Sequence, residues 1–123
     1  MTEQTAERQK IPDNFFDAVI STQSIHHGTE KQIKYCIKEI ERVLKPNGFI
    51  YITFKSKFKV YKFQTQEKKK IEPHTWIITK GFEAGIPHFI FTKSMIPSYF
   101  KNFKIINLHK DKGKHWCILG QRK

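Results

Sequence analysis

Residues 14–48 read NFFDAVISTQSIHHGTEKQIKYCIKEIERVLKPNG, and the apolar period changes twice within them. Behind Phe15 and Phe16, residues 17–21 (DAVIS) form a short apolar run. That pattern predicts a strand buried on both faces, as in a parallel sheet. After a polar stretch, Ile33, Cys36, Ile37, Ile40, Val43 and Leu44 recur at spacings of three and four. They make one apolar stripe of a helix, with Lys34, Lys38, Glu39, Glu41 and Arg42 on the other side. Thr29 followed by Gln32 predicts a capping box, and Glu30 suits the positive end of the helix dipole. Pro46 disfavours helical geometry at Lys45, and Asn47-Gly48 supplies a turn. Residues 49–54 (FIYITF) alternate and predict a second parallel strand. The segment is therefore a βαβ unit, whose first loop lies where such sheets place ligands.

The remaining pattern is less regular. Lys68-Lys69-Lys70 reads as a solvated loop or helix face, and residues 75–79 (TWIIT) as a short strand. Gly81 and Gly85 punctuate the middle of the chain. A helix is expected from Thr92 or Ser94 to about Lys101, with Pro97 near its first turn. Residues 103–109 and 115–120, around a turn containing Gly113, predict an antiparallel hairpin. Residues 1–10 have no apolar period and are expected to be a flexible arm.

The 123 residues suffice for one domain, and eleven Phe supply a core. The net charge is +12, almost all from Lys, since Arg8, Arg42 and Arg122 are the only arginines. Such a surface either keeps the protein soluble or attracts nucleic acid. Lys residues interleaved with aromatics in residues 55–63 (KSKFKVYKF) fit a nucleic-acid groove or the exposed face of a strand. Trp76 and Trp116 are expected in the core rather than as base-stacking platforms. Cys36 falls on the apolar helix stripe, and the two cysteines form no CxxC pair. With no secretory segment and no apolar run of membrane length, a reduced, cytoplasmic protein without membrane association is expected.

NFFDAVISTQSIHH followed by EIERVLKPNGFIYIT resembles the second half of a class I S-adenosylmethionine-dependent methyltransferase, close in pattern to the type 11 group. The likeness runs from about residue 5 to the C-terminus. It implies an α/β fold: part of a Rossmann-like sheet of order 3-2-1-4-5-7-6. This chain supplies strands four to seven, mostly parallel, with a C-terminal antiparallel hairpin. It also implies S-adenosylmethionine as cofactor and methyl transfer to a small molecule or tRNA. On this resemblance Ala6 and Glu7 line the adenine, Thr22 ends strand four, and Gln23, Ser24, Ile25 and His26 face the methyl-donor centre. LKPNG stands where LKPGG is usual. The family's GxGxG loop and the acidic residue that grips the ribose are not found in the sequence, whose six glycines are scattered. Residues 1–123 thus read as one incomplete methyltransferase domain that is inactive alone. A complementary N-terminal half chain is the expected partner; an inert remnant and a basic RNA-binding module are the alternatives.

His26 and His27 are the candidate catalytic residues, since imidazole can act as a general base near neutral pH. Loop capping and packing account for the same pair without chemistry. His74, His88, His109 and His115 lack metal-ligand spacing, so no metal site is expected.

Overall fold

The computed structural model describes residues 11–22, 25–57, 60–61, 64–65 and 67–123. The expected arm therefore lies outside the described residues. Strand β1 (Phe16–Thr22) leads into helix α1 (Glu30–Val43), which passes without a linker into β2 (Leu44–Lys55). The capping box forms as expected. The Gln32 N–H donates to Thr29 Oγ1 at 3.4 Å, and Gln32 Oε1 accepts from the Thr29 N–H at 2.9 Å. Ile33, Ile37 and Val43 of the stripe are buried, while Cys36 and Ile40 pack at the margin of the core.

The α1–β2 junction is tight. Phe16 pairs with Leu44 and Ala18 with Phe49, so residues 45–48 bulge out of the ladder. Asn47 takes a φ of 68°, the left-handed conformation that an Asn-Gly turn favours. Gly48 is needed for close approach: a Cβ there would lie 2.9 Å from the Asp17 carbonyl oxygen and 2.8 Å from that of Lys45. The N–H groups of Asn14 and Phe15 bond the carbonyls of Arg42 and Val43, fastening the entry of β1 to the end of α1.

After β2 come the short strands β3 (Val60–Tyr61) and β4 (Gln64–Thr65), which pair with each other. Strands β5 (Lys68–Glu72), β6 (Thr75–Ile78) and β7 (Pro87–Phe89) form a separate three-stranded antiparallel sheet. The lysine run is thus a strand rather than a loop or helix face. Its exposure is as expected, but pairing with β6 sets its conformation. The helix expected after Thr92 is a 3-10 turn (Lys93–Met95) and one α turn, α2 (Ile96–Tyr99), with Pro97 at its start. The hairpin forms as β8 (Phe103–Lys110) and β9 (His115–Arg122).

The main sheet has the order β1-β2-β9-β8. β1 and β2 are parallel, Val19 facing Ile50; β9 is antiparallel to both β2 and β8. The sheet is therefore mostly antiparallel, which corrects the expected mostly parallel one. The physical reason is the hairpin: its second strand inserts between β2 and β8, so it sets two of the three pairings.

One face of this sheet carries the core. Ile50, Ile52, Phe54, Trp116 and Ile118 meet Ile33 and Ile37 of α1 and Phe89, Phe91, Ile96 and Phe100. The other face keeps apolar side chains in solvent. Ile20 is 74% exposed, Phe49 47% and Tyr51 38%. Ala18 pairs with Phe49 and Ile20 with Tyr51, so the four residues form one patch. Among the described residues, β1 has a neighbouring strand on one side only.

Candidate functional site

The loop after β1 carries His26 and His27, and the three-stranded sheet closes over it. The Phe89 N–H donates to the His26 carbonyl at 2.8 Å, and the Gly28 N–H to the same oxygen at 3.1 Å. This brings His88 of β7 against the loop: ring centroids are 5.7 Å apart for His26–His88, 4.8 Å for His27–His88 and 4.2 Å for His26–His27. One ring nitrogen from each of the three lies within 4.8 Å of the others.

Glu83 joins from the turn between β6 and β7. Gly81 and Gly85, at φ of 95° and 86°, allow that turn to reverse. Glu83 Oε2 lies 2.5 Å from His88 Nε2, while His88 Nδ1 faces the Ile86 carbonyl at 2.9 Å. The first contact joins a ring nitrogen to a carboxylate oxygen, so a proton lies between them. Burial alone would raise the Glu83 carboxyl. The His88 bond and the neighbouring His88, Lys55 and His27 charges outweigh it and hold Glu83 below the usual range.

His26 is buried, and its Nδ1 accepts the Lys55 backbone N–H at 3.3 Å, which assigns the ring hydrogen to Nε2. Burial first, then His27, Lys55, His88 and His115, push its pKa down to about 2. His27 is exposed; burial of part of its ring and the nearby His88 and Lys55 lower its pKa, with Glu83 acting in the opposite direction. The cluster thus holds one inert neutral imidazole, one accessible imidazole and one imidazole–carboxylate pair.

Of the residues expected at a cofactor wall, Thr22 is exposed at the end of β1 and Ile25 is buried beneath the loop. Ala6, Glu7, Gln23 and Ser24 lie outside the described residues. Sequence reasoning missed His88 and Glu83 as members of this site. The glycines flanking Glu83 signalled a turn, but nothing local signalled which loop that turn would face. Among the described residues no helix is long and apolar enough to cross a membrane.

The fold of the chain has counterparts among solved structures. A Pyrococcus horikoshii protein superposes with a TM-score of 0.68 at 18% identity, over 98% of this chain and 64% of its own. A Methanosarcina mazei S-adenosylmethionine-dependent methyltransferase gives 0.69 at 18% identity, over 91% and 61%. The chain has the fold of the class I S-adenosylmethionine-dependent methyltransferases. Residues 1–52 match the family model of the methyltransferase domain. The Burkholderia thailandensis 1,6-didemethyltoxoflavin-N1-methyltransferase, solved with S-adenosylhomocysteine, shares the methyltransferase fold with a TM-score of 0.62 at 15% identity, over 90% of this chain and 45% of that enzyme. The chain thus spans less than two thirds of each of these structures. No curated protein matches it in sequence.

Proposed function

We propose that the chain is the substrate-side half of an S-adenosylmethionine-dependent methyltransferase, acting in the cytoplasm on a small molecule or tRNA and inactive until a complementary N-terminal half covers its sheet. In this reading β1, β2, β8 and β9 are strands four, five, six and seven. The observed order β1-β2-β9-β8 supports that assignment.

The observation that carries the reading is the bare apolar face. A sheet begun by a parallel βαβ unit is normally covered on both faces. Here α1 and the residues around Phe91 cover one, while Ala18, Ile20, Phe49 and Tyr51 remain open beside the edge of β1 that has no neighbouring strand among the described residues. The residues present do not make a cofactor site by themselves. By the resemblance, one wall would fall to Thr22, Gln23 and Ser24 with Ala6 and Glu7, while Ile25 is buried beneath the loop. The glycine-rich loop that would cradle the cofactor must come from the other half. Of the two histidines, His27 suits the general base as long as no ion occupies its ring nitrogen, because burial keeps His26 from accepting a proton.

Calorimetric titration of S-adenosylmethionine into the chain, alone and mixed with a candidate N-terminal half, tests this. Heat from the mixture only is expected. Silence in both removes the methyltransferase reading, and heat from the chain alone removes the need for a second half.

A further inference from the structure

We propose that His27, His88, Glu83 and His26 form a binding site for a divalent transition metal of the zinc class. Metal binding here does not require methyl transfer. The argument starts from donor chemistry. Three imidazoles and one carboxylate are a four-coordinate set that suits zinc and its neighbours. One nitrogen from each imidazole already lies within 4.8 Å of the others. Ligands bound at about 2.0–2.1 Å in a tetrahedron stand roughly 3.3 Å apart, so bringing the three imidazoles to that spacing needs a contraction of about 1.5 Å at most. His27 is itself exposed between the buried His26 and Gly28, and rotation of its side chain can supply most of it.

The outer contacts fit as well. A metal-bound histidine generally donates its other N–H to a carbonyl or carboxylate, which fixes the ring. His88 Nδ1 faces the Ile86 carbonyl at 2.9 Å, leaving Nε2 for the metal. That Nε2 is 2.5 Å from Glu83 Oε2. The proton between them occupies the position a cation would take. On binding, that proton leaves to solvent, the nitrogen lone pair and a carboxylate oxygen bind the ion, and the two atoms move apart. His26 joins by giving up the long 3.3 Å contact with the Lys55 N–H, a small loss beside a metal–imidazole bond. The Lys55 ammonium opposes a cation here, and the Glu83 carboxylate offsets it.

The test uses the whole chain, stripped with a chelator and titrated with Zn2+ by calorimetry and with Co2+ by absorption. Expected are one ion per chain, intense visible Co2+ bands of a four-coordinate site, and about one proton released, read from buffers of different ionisation enthalpy. His27→Ala, on an exposed position, and Glu83→Gln should each weaken binding about tenfold or more, with unchanged circular dichroism. His109→Ala, whose ring bonds Asn107 on an exposed strand, should leave it unchanged. Absence of binding overturns the site. So does binding that survives both His27→Ala and Glu83→Gln, or that is lost in His109→Ala.

Discussion

The indole N–H of Trp116 donates to the main-chain carbonyl of Phe91 at 3.0 Å, inside the core. This bond ties β9 to the segment that follows β7 and so holds the histidine cluster against the main sheet. Trp116→Phe keeps an aromatic ring but strands a buried carbonyl. A loss of about 1–3 kcal/mol is expected. Urea unfolding should show a lower midpoint with an unchanged slope.

The cap of α1 is a weaker device. Thr29 Oγ1 accepts from the Gln32 N–H at 3.4 Å, a long bond. Thr29→Ala is expected to cost about 0.5–1 kcal/mol, the lower part of the range for N-caps. Thr29→Ser should retain nearly all of the stability in the same urea titration.

Gly48→Ala should cost more than its size suggests. The added methyl would meet two main-chain oxygens, those of Asp17 and Lys45, and neither can swing aside as a side chain can. A loss of about 1–3 kcal/mol, the range for overpacking, is expected in thermal unfolding. Hydrogen exchange should accelerate first in β1.

The β8–β9 turn is sensitive to pH. The Asp111 carboxylate accepts the His115 backbone N–H at 2.9 Å, and this bond, with help from the His115 ring, holds its pKa below the usual aspartate range against the opposing effect of burial. The folded pKa is the lower one. The stabilisation is therefore complete above the ordinary aspartate range and disappears as pH falls through the depressed folded value. Amide exchange across the turn should rise with acid in the parent chain, and Asp111→Asn should flatten that response.

How much of this was legible in the sequence depends on how local each cause is. Thr29, Gln32, Pro46 and Asn47 act on their own backbone neighbours, so α1 and its ends could be read directly. The β8–β9 hairpin was legible for the same reason. Lys68–Glu72 was not, because three consecutive lysines carry no alternation; its pairing with β6 decides, and Lys70 there lies 5.5 Å from the centre of the Trp76 ring. The His26–His27–His88 cluster was hidden for a related reason. It depends on the Phe89 N–H reaching the His26 carbonyl, and no spacing along the chain encodes that contact.

Ile20 separates stability from assembly. It is 74% exposed, so Ile20→Lys should shift the stability of the chain by no more than about 0.5 kcal/mol. If a second half docks on this face, the same substitution should abolish its binding, because a lysine would be buried there unpaired. Unchanged complementation in sedimentation velocity would place the docking surface elsewhere.

The strand order sets a timetable. β9 is the last of the four main strands to leave the ribosome, yet it lies between β2 and β8. Until residues 115–122 emerge, β2 lacks its antiparallel neighbour and β8 lacks the one strand it pairs with among the described residues. The sheet therefore closes late, and a nascent chain that stalls before β9 leaves apolar strands open to chaperones and to other copies of itself.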